Sequence, residues 1–449
     1  MKTLRKYHKW PSLIIGAFLI LFALSGIVLN HRNLFSGTDV PRSLLPPAYR
    51  YHNWNLAAVK GNIEFGADSV LVYGNAGIWL TDSAFSSFSC FNTGIDDGID
   101  NRKIFTLLKT DNGQLYAGSL NGMLKYDASA RYWKRITLPE KNPRVVRIIA
   151  HGAEIFVMTR DHLYSFGRNN ETDIKKHLIP RPSGADGNVS LFTTLWVLHS
   201  GELLGIAGKL VVDLVGLLII FFTLSGYYYT LMPSMTRRIA GNMRKQLHRL
   251  NKFSIKWHNK LGVWSLVFLL ITVITGMFLR PPLLIPIASS RVAPIPGTML
   301  ANANFWHEKL RDFLIDTTHN RIVFSTSEGF FETGLENQSE CQPFSIQPPV
   351  SVMGITVFEQ TGSGTFLVGS FSGLFYWHPG SGMITNAITG LPYHGMEGGS
   401  PFGADAVSGL IRKNTDAMAY LDYDAGWIPL TEGVRTPEMP EDIAKSPVS

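Results

Sequence analysis

Three apolar stretches constrain this chain most. Residues 10–30, a segment within 203–231 (LLGIAGKLVVDLVGLLIIFFTLSGYYYTL) and residues 261–279 (LGVWSLVFLLITVITGMFL) stand out from the rest. Each supplies the roughly 20 apolar residues that a helix needs to cross a bilayer core. The first is no cleavable signal: its apolar run is too long, and IVLNHRN offers no small-x-small cleavage site. The expectation is a bundle of three membrane spans carrying a large polar part.

Charge sets the expected orientation. Residues 1–10 hold four basic and no acidic side chains, and 233–260 holds eight basic and none acidic. By the positive-inside rule both belong in the cytoplasm. Without these twelve, 29 basic residues face 34 acidic ones, so the formal +7 reflects topology and gives no argument for nucleic-acid binding. The layout expected is transmembrane helix 1 at 1–31, an outer segment at 32–194, helix 2 at 195–232, a basic cytoplasmic loop at 233–260, helix 3 at 261–280 and a second outer segment at 281–449. In a bacterium this is an inner-membrane protein with a cytoplasmic N-terminus and its bulk in the periplasm.

The outer segments read as short strands broken by Gly, Asn, Asp and Ser. GQLYAGSLNGMLKYD (113–127) and GTFLVGSFSGLFYWHPG (364–380) share one pattern, and related runs lie at 69–82, 153–166, 320–334 and 416–430. A spacing of about 40–50 residues is that of propeller blades. The fold expected is an all-β, propeller-like domain of six units built from two chain segments.

A larger repeat runs beneath this one. An offset of 250 residues aligns His8 with His258 and Ser25-Gly26 with Thr275-Gly276; one further residue aligns Val72 with Val323, Cys90 with Cys341 and GSLNG with GSFSG. Opposite positions in a six-unit ring are too far apart for the 7 Å or so that a disulfide tolerates between Cα atoms. Cys90 and Cys341 are therefore expected to be two separate, buried thiols.

The repeat draws attention to histidines at the span ends. His8 lies just before helix 1 and His258 just before helix 3; these helices run the same way, so the two imidazoles share a depth, each beside a Trp (Trp10, Trp257). His31 follows helix 1, and His199 enters helix 2, where counting back from Tyr227–Tyr229 puts it about 12 Å above the hydrocarbon edge at 1.5 Å per residue. Paired imidazoles on membrane helices are suited to hold a b-type heme by two axial bonds, which leaves no position for oxygen and favours electron transfer. The expected iron ligands are His8 with His258 and His31 with His199, for one or two hemes. Gly16, Gly26, Gly216, Gly226, Gly262 and Gly276 permit close approach of helices or a flat macrocycle. Lys209 and Asp213, spaced i,i+4, are expected to pair. Arg32 and Arg280 at the outer ends either hold heme propionates or anchor to lipid headgroups.

The segments YHKWPSLIIGAFLILFALSGIVL, VLHSGELLGIAGKLVVDLVGLLIIFFTLSGYYYTLMP and KWHNKLGVWSLVFLLITVITGMFL resemble the PepSY-associated transmembrane family. The basic-His-Trp start, the His-x-Gly-Glu entry to the middle helix and the Ser/Thr-Gly near span ends carry the resemblance. It implies an iron-regulated inner-membrane protein, heme ligation at His8, His31, His199 and His258, and a ferric-siderophore reductase type of oxidoreductase. Pro11-Ser12 replaces the Leu-Gly expected there, and the outer segments do not look like PepSY-type α/β modules.

No dinucleotide fingerprint follows a strand, and no Cys-x-x-Cys-His is present. Electrons would come from a membrane quinol or a separate donor protein. His52 (YHNWNL) and His307 (FWHEKL) fall near matching points of the two halves and read as packed side chains rather than iron ligands. Two functions remain open: electron transfer to a periplasmic iron chelate, or a non-enzymatic module that binds or senses a periplasmic ligand or protein partner through its β domain, with the helices as anchor.

Overall fold

The computed structural model describes residues 2–446 apart from 238, 240, 289, 337–339, 352–353, 363, 394, 396–404, 414–416 and 432–435, and it describes no side chains for 2–10, 12, 33 and 235. The chain forms two compact units, a helical one (1–35 and 186–303) and a sheet one (36–185 and 304–449).

In the helical unit three helices are long and apolar enough to cross a membrane. Helix α1 (Lys2–Asn30) is followed by the single turn α2 (Arg32–Phe35). Helix α3 (Leu191–Ser200) precedes α4 (Gly205–Thr236) and α5 (Gly241–Met277). Helix α4 packs against α1 and α5, and α3 against α5. The α1–α4 approach depends on Gly16: a Cβ there would fall 2.6 Å from Tyr227 Oη, whose hydroxyl donates to the Leu13 carbonyl at 2.7 Å. The two-residue strands Val189–Ser190 and Arg291–Val292 pair and tie the entry of α3 to the chain beyond α5.

Two helix boundaries differ from the sequence reading. The stretch 195–232 is not one helix: Gly201 ends α3 in the left-handed region (φ +80°), a 3-10 turn spans Glu202–Leu204, and Gly205 (φ +62°) starts α4. Gly201 is the αL residue on which many helices end, and here a Cβ would lie 2.3 Å from the Gly208 carbonyl oxygen. The basic stretch 233–260 is helical from Gly241 onward. Its Met, Arg, Lys, Gln and Leu are good helix formers; charge marked it as a loop, whereas propensity decides its backbone. At 37 residues, α5 extends about 55 Å, well beyond a bilayer core.

The sheet unit contains six antiparallel sheets, none closed into a barrel, at 61–90, 104–136, 145–177, 310–343, 355–386 and 407–429. The first five have four strands and the sixth has three among the described residues. The six hairpins read from sequence are the second and third strands of these sheets. Their tight turns are held by hydroxyls: Ser119 Oγ donates to the Gly122 carbonyl and Thr326 Oγ1 to that of Gly329, both at 2.9 Å. Such side-chain-to-backbone bonds are why Ser and Thr favour turns.

The first strand of each sheet touches the first strand of the next, and Val407–Arg412 touches Gly61–Gly66, so the contacts return to their start. Asn62 secures this last seam: its Nδ2 donates to the Arg412 carbonyl at 2.7 Å and its Oδ1 accepts from the Arg412 N–H at 2.9 Å. Trp54, Trp133, Trp306 and Trp377 are almost fully buried, and each indole N–H donates to a loop carbonyl. A buried indole needs that partner.

The cysteines are separate free thiols, but only Cys341 is buried; Cys90 is exposed. Cys341 pairs across to Thr333, the fifth residue of its neighbouring strand, and joins the Trp306–Phe331 core, where burial pushes its thiol up to about 12. Cys90 pairs with Trp79, the third residue of its neighbour. The cysteines are thus two positions out of register, and the side chain that matches Cys341 is Phe88.

Candidate functional site: imidazoles at two ends of the helical unit

Helix α4 carries polar groups toward both ends, Asp213 and Ser225, twelve residues or about 18 Å apart. Each meets a histidine from another helix. At the level where the basic half of α5 gives way to its apolar half, called the basic end below, His258 Nδ1 lies 2.8 Å from Ser225 Oγ, which itself donates to the Phe222 carbonyl at 3.0 Å. When the hydroxyl gives its proton to Phe222, it accepts from Nδ1–H of His258. Phe222 also meets the His258 ring edge-on, at 5.2 Å between centroids. The side chain of His8 lies outside the described residues; its backbone falls in α1.

At the opposite end, His199 Nδ1 is 2.9 Å from the Thr272 carbonyl and 3.3 Å from Thr275 Oγ1. A carbonyl only accepts, so Nδ1 carries the proton and Nε2 the lone pair. Gly276 makes room for the ring, since a Cβ there would stand 2.9 Å from His199 Cε1. The break at Gly201 places His199 level with Thr272, more than a turn inside the end of α5. The 12 Å excursion expected from a continuous helix is therefore absent.

His31 is held differently. Its Nε2 lies 2.5 Å from Asp213 Oδ2, while Asn30 Nδ2 donates to Asp213 Oδ1 at 3.2 Å and to the Ser200 carbonyl at 3.1 Å. The Asn30–Ser200 bond joins the immediate neighbours of His31 and His199, so the two expected partners share one end of the unit. Lys209 does not pair with Asp213. It bonds Glu202 at 2.7 Å, because the turn after Gly201 folds Glu202 back over the first turn of α4. Arg32 and Arg280 are both exposed and lie at this same end of α1 and α5.

The residues can be tested against heme by tautomer. An axial histidine binds iron through one ring nitrogen while the other donates to a fixed acceptor. His199 meets this condition through Nδ1–H, which leaves its Nε2 lone pair, and His258 meets it in the tautomer that donates from Nδ1 to Ser225 Oγ. His31 has the reverse arrangement: the carboxylate takes Nε2–H, so His31 as placed is not set to ligate through Nε2. Of the six glycines singled out in sequence, Gly16, Gly216 and Gly276 face close neighbours, whereas Gly26, Gly226 and Gly262 meet nothing within 4 Å among the described residues.

The sheet unit holds other histidines. His307 Nδ1 pairs with Asp161 at 3.0 Å, and this carboxylate raises the imidazole above its ordinary value. His52 is bonded near Asn55. Among the described residues no three His, Cys, Asp or Glu side chains gather to hold a metal ion.

The profile of the PepSY-associated TM region family matches residues 5–312. The chain belongs to that family. The match extends well past the helices and includes the first three sheets. No curated protein matches this chain. Among solved structures it is similar to the extracellular domain of BT4673 from B. thetaiotaomicron, at 11% identity and a TM-score of 0.38, covering 86% of this chain and 40% of that one. It is also similar to PorZ, a surface component of the type-IX secretion system of Porphyromonas gingivalis, at 11% identity and a TM-score of 0.36, covering 82% and 38%. The chain thus spans about two fifths of each of these structures. Likenesses this loose carry no argument about function.

Proposed function

We propose that this PepSY-associated membrane protein binds b-type heme in its helical unit and passes electrons across the bacterial inner membrane to a periplasmic ferric chelate, of which a siderophore complex is the leading candidate. The supporting observation is the pair His258 and His199. His258 stands at the middle of α5 and His199 meets that helix near its last turns, each with Nδ1 against a fixed polar partner. That is the second-shell pattern of metal-bound histidine, and nothing in a lipid anchor requires it. His8 is the proposed partner of His258. His31 becomes the partner of His199 once Asp213 releases its Nε2. Arg32 and Arg280 would balance propionate charge at that end. Heme supplies a one-electron carrier when bound. A quinol or a separate donor protein gives the electrons, and each ferric ion takes one.

The six sheets are proposed to form a propeller, on the strength of first-strand contacts that return to their start. This domain would face the periplasm and meet the acceptor. The decisive experiment is a reduced-minus-oxidised spectrum of the detergent-purified chain, with heme counted per polypeptide. Low-spin b-type bands and up to two hemes are expected. Heme-free protein from heme-replete membranes would overturn the proposal. The sheet unit would then be the functional part, as a binding or sensing module anchored by the helices.

A further inference from the structure

A cavity of about 370 Å³ opens in the sheet unit, between the hairpin turn of the fourth sheet and the segment leading to the fifth. Its volume falls at the lower end of small-molecule pockets, about 300–1,000 Å³. Most of its polar lining is satisfied within the protein. Thr326 Oγ1 bonds Gly329, Glu328 pairs with Lys309 at 3.0 Å, and Gln347 spends its amide on the backbone of Phe330 and Phe344.

Two groups stand apart, one without a hydrogen-bond partner and one without a counter-charge among the described residues. Ser351 is 5% exposed, and its buried Oγ has no hydrogen-bond partner among the described residues. Arg311 donates Nη1 to the Glu308 and Leu310 carbonyls at 2.8 and 3.0 Å, and no carboxylate pairs with it among the described residues. The nearby carboxylate, Glu308, is engaged by Arg160 at 3.2 Å. Burial first, then the positive charge of Arg160 and Arg144, push the pKa of Arg311 down to about 9 against the pull of Glu308. A guanidinium stays charged in proteins, so a cation in this position favours an anion. A buried hydroxyl without a partner is costly, and a guest that accepts its proton relieves that cost.

We infer that this cavity is a binding site for a small anion bearing a carboxylate or phosphate group, held by the guanidinium of Arg311 and the hydroxyl of Ser351. With Nη1 committed to two carbonyls, the remaining guanidinium N–H groups suit the anionic oxygens that both groups present. This site does not depend on heme and stands whether or not the helical unit carries electrons.

Isothermal titration of the full chain in detergent, with citrate and inorganic phosphate as separate probes, tests the site. Saturable binding of one or both is expected, weaker at 300 mM than at 50 mM NaCl. Citrate alone would assign a carboxylate ligand, and phosphate alone a phosphorylated one. Arg311→Gln should weaken binding at least tenfold, Arg311→Lys should fall between it and wild type, and Ser351→Ala should weaken it about threefold. Failure of both probes to bind, or an unchanged affinity in Arg311→Gln, overturns the assignment. If Arg311→Gln does not fold, Ser351→Ala decides: affinity equal to wild type overturns it.

Discussion

The two ends of the helical unit solve one problem in different ways. At the basic end a single hydroxyl, Ser225, orients His258. At the other end His199 leans on a backbone carbonyl, and beside it His31, Asn30, Asp213 and Ser200 form a bonded network. The basic end orients its imidazole with one hydroxyl. The other end offers one imidazole and withholds a second behind a carboxylate. The contrast suggests that helix-end histidines in such a chain need not be equivalent, even where sequence symmetry pairs them.

The strongest test compares His258→Ala with His199→Ala. Each should remove about one heme per chain, leaving the bands of the opposite end in the difference spectrum. Loss of both hemes from either variant would break the independence of the ends. Next in size is Gly276→Ala, which pushes a methyl against His199 Cε1. It should weaken heme retention about 10- to 100-fold at that end alone, the range for disturbed ligand orientation; heme titration of the stripped protein reads it. Ser225→Ala should cost about tenfold at the basic end by the same assay. Asp213→Asn leaves Asn30 and His31 with a poorer acceptor and should lower stability by about 1–3 kcal/mol. A melting curve in detergent checks this, and an unchanged curve would mean that the network is ornamental.

The smallest effect lies outside the helices. Asp161 raises the pKa of His307, so the folded state holds that proton more tightly than the unfolded state. The resulting stability is complete below about pH 6.5, the ordinary histidine value, and is lost as pH rises through the raised value. Because the pair is partly exposed, it amounts to under about 1 kcal/mol. Melting temperatures from pH 5.5 to 9 should fall more steeply for wild type than for Asp161→Asn.

Much of this was legible in the sequence, for identifiable reasons. Apolar length marked the spans, and Gly-rich turns between alternating strands marked six hairpins, because both signals are local. The break after Ser200 was also written locally, in Gly201 and Gly205, but the apolar run across it reads as continuous. Partners were harder. Lys209 to Glu202 and His31 to Asp213 depend on where chain segments return, and i,i+4 spacing suggested the wrong pair. Cys90 and Cys341 show the same limit in the sheets: an alignment offset correct at GSLNG and GSFSG drifts by two residues in an edge strand. The cavity beside Arg311 left no sequence signal, since its defining property is what Arg311 and Ser351 lack.

The seam between Asn62 and Arg412 has a consequence for synthesis. Its two sides are 350 residues apart, one made after α1 but before α4 and α5, and one long after them. Until the later side leaves the ribosome, the first sheet presents an unsatisfied flank, and three sheets must wait for the other three. Contacts of such long range form slowly, and exposed strand surfaces in waiting intermediates invite aggregation. This chain should therefore depend on holding factors during its biogenesis more than its finished fold would suggest.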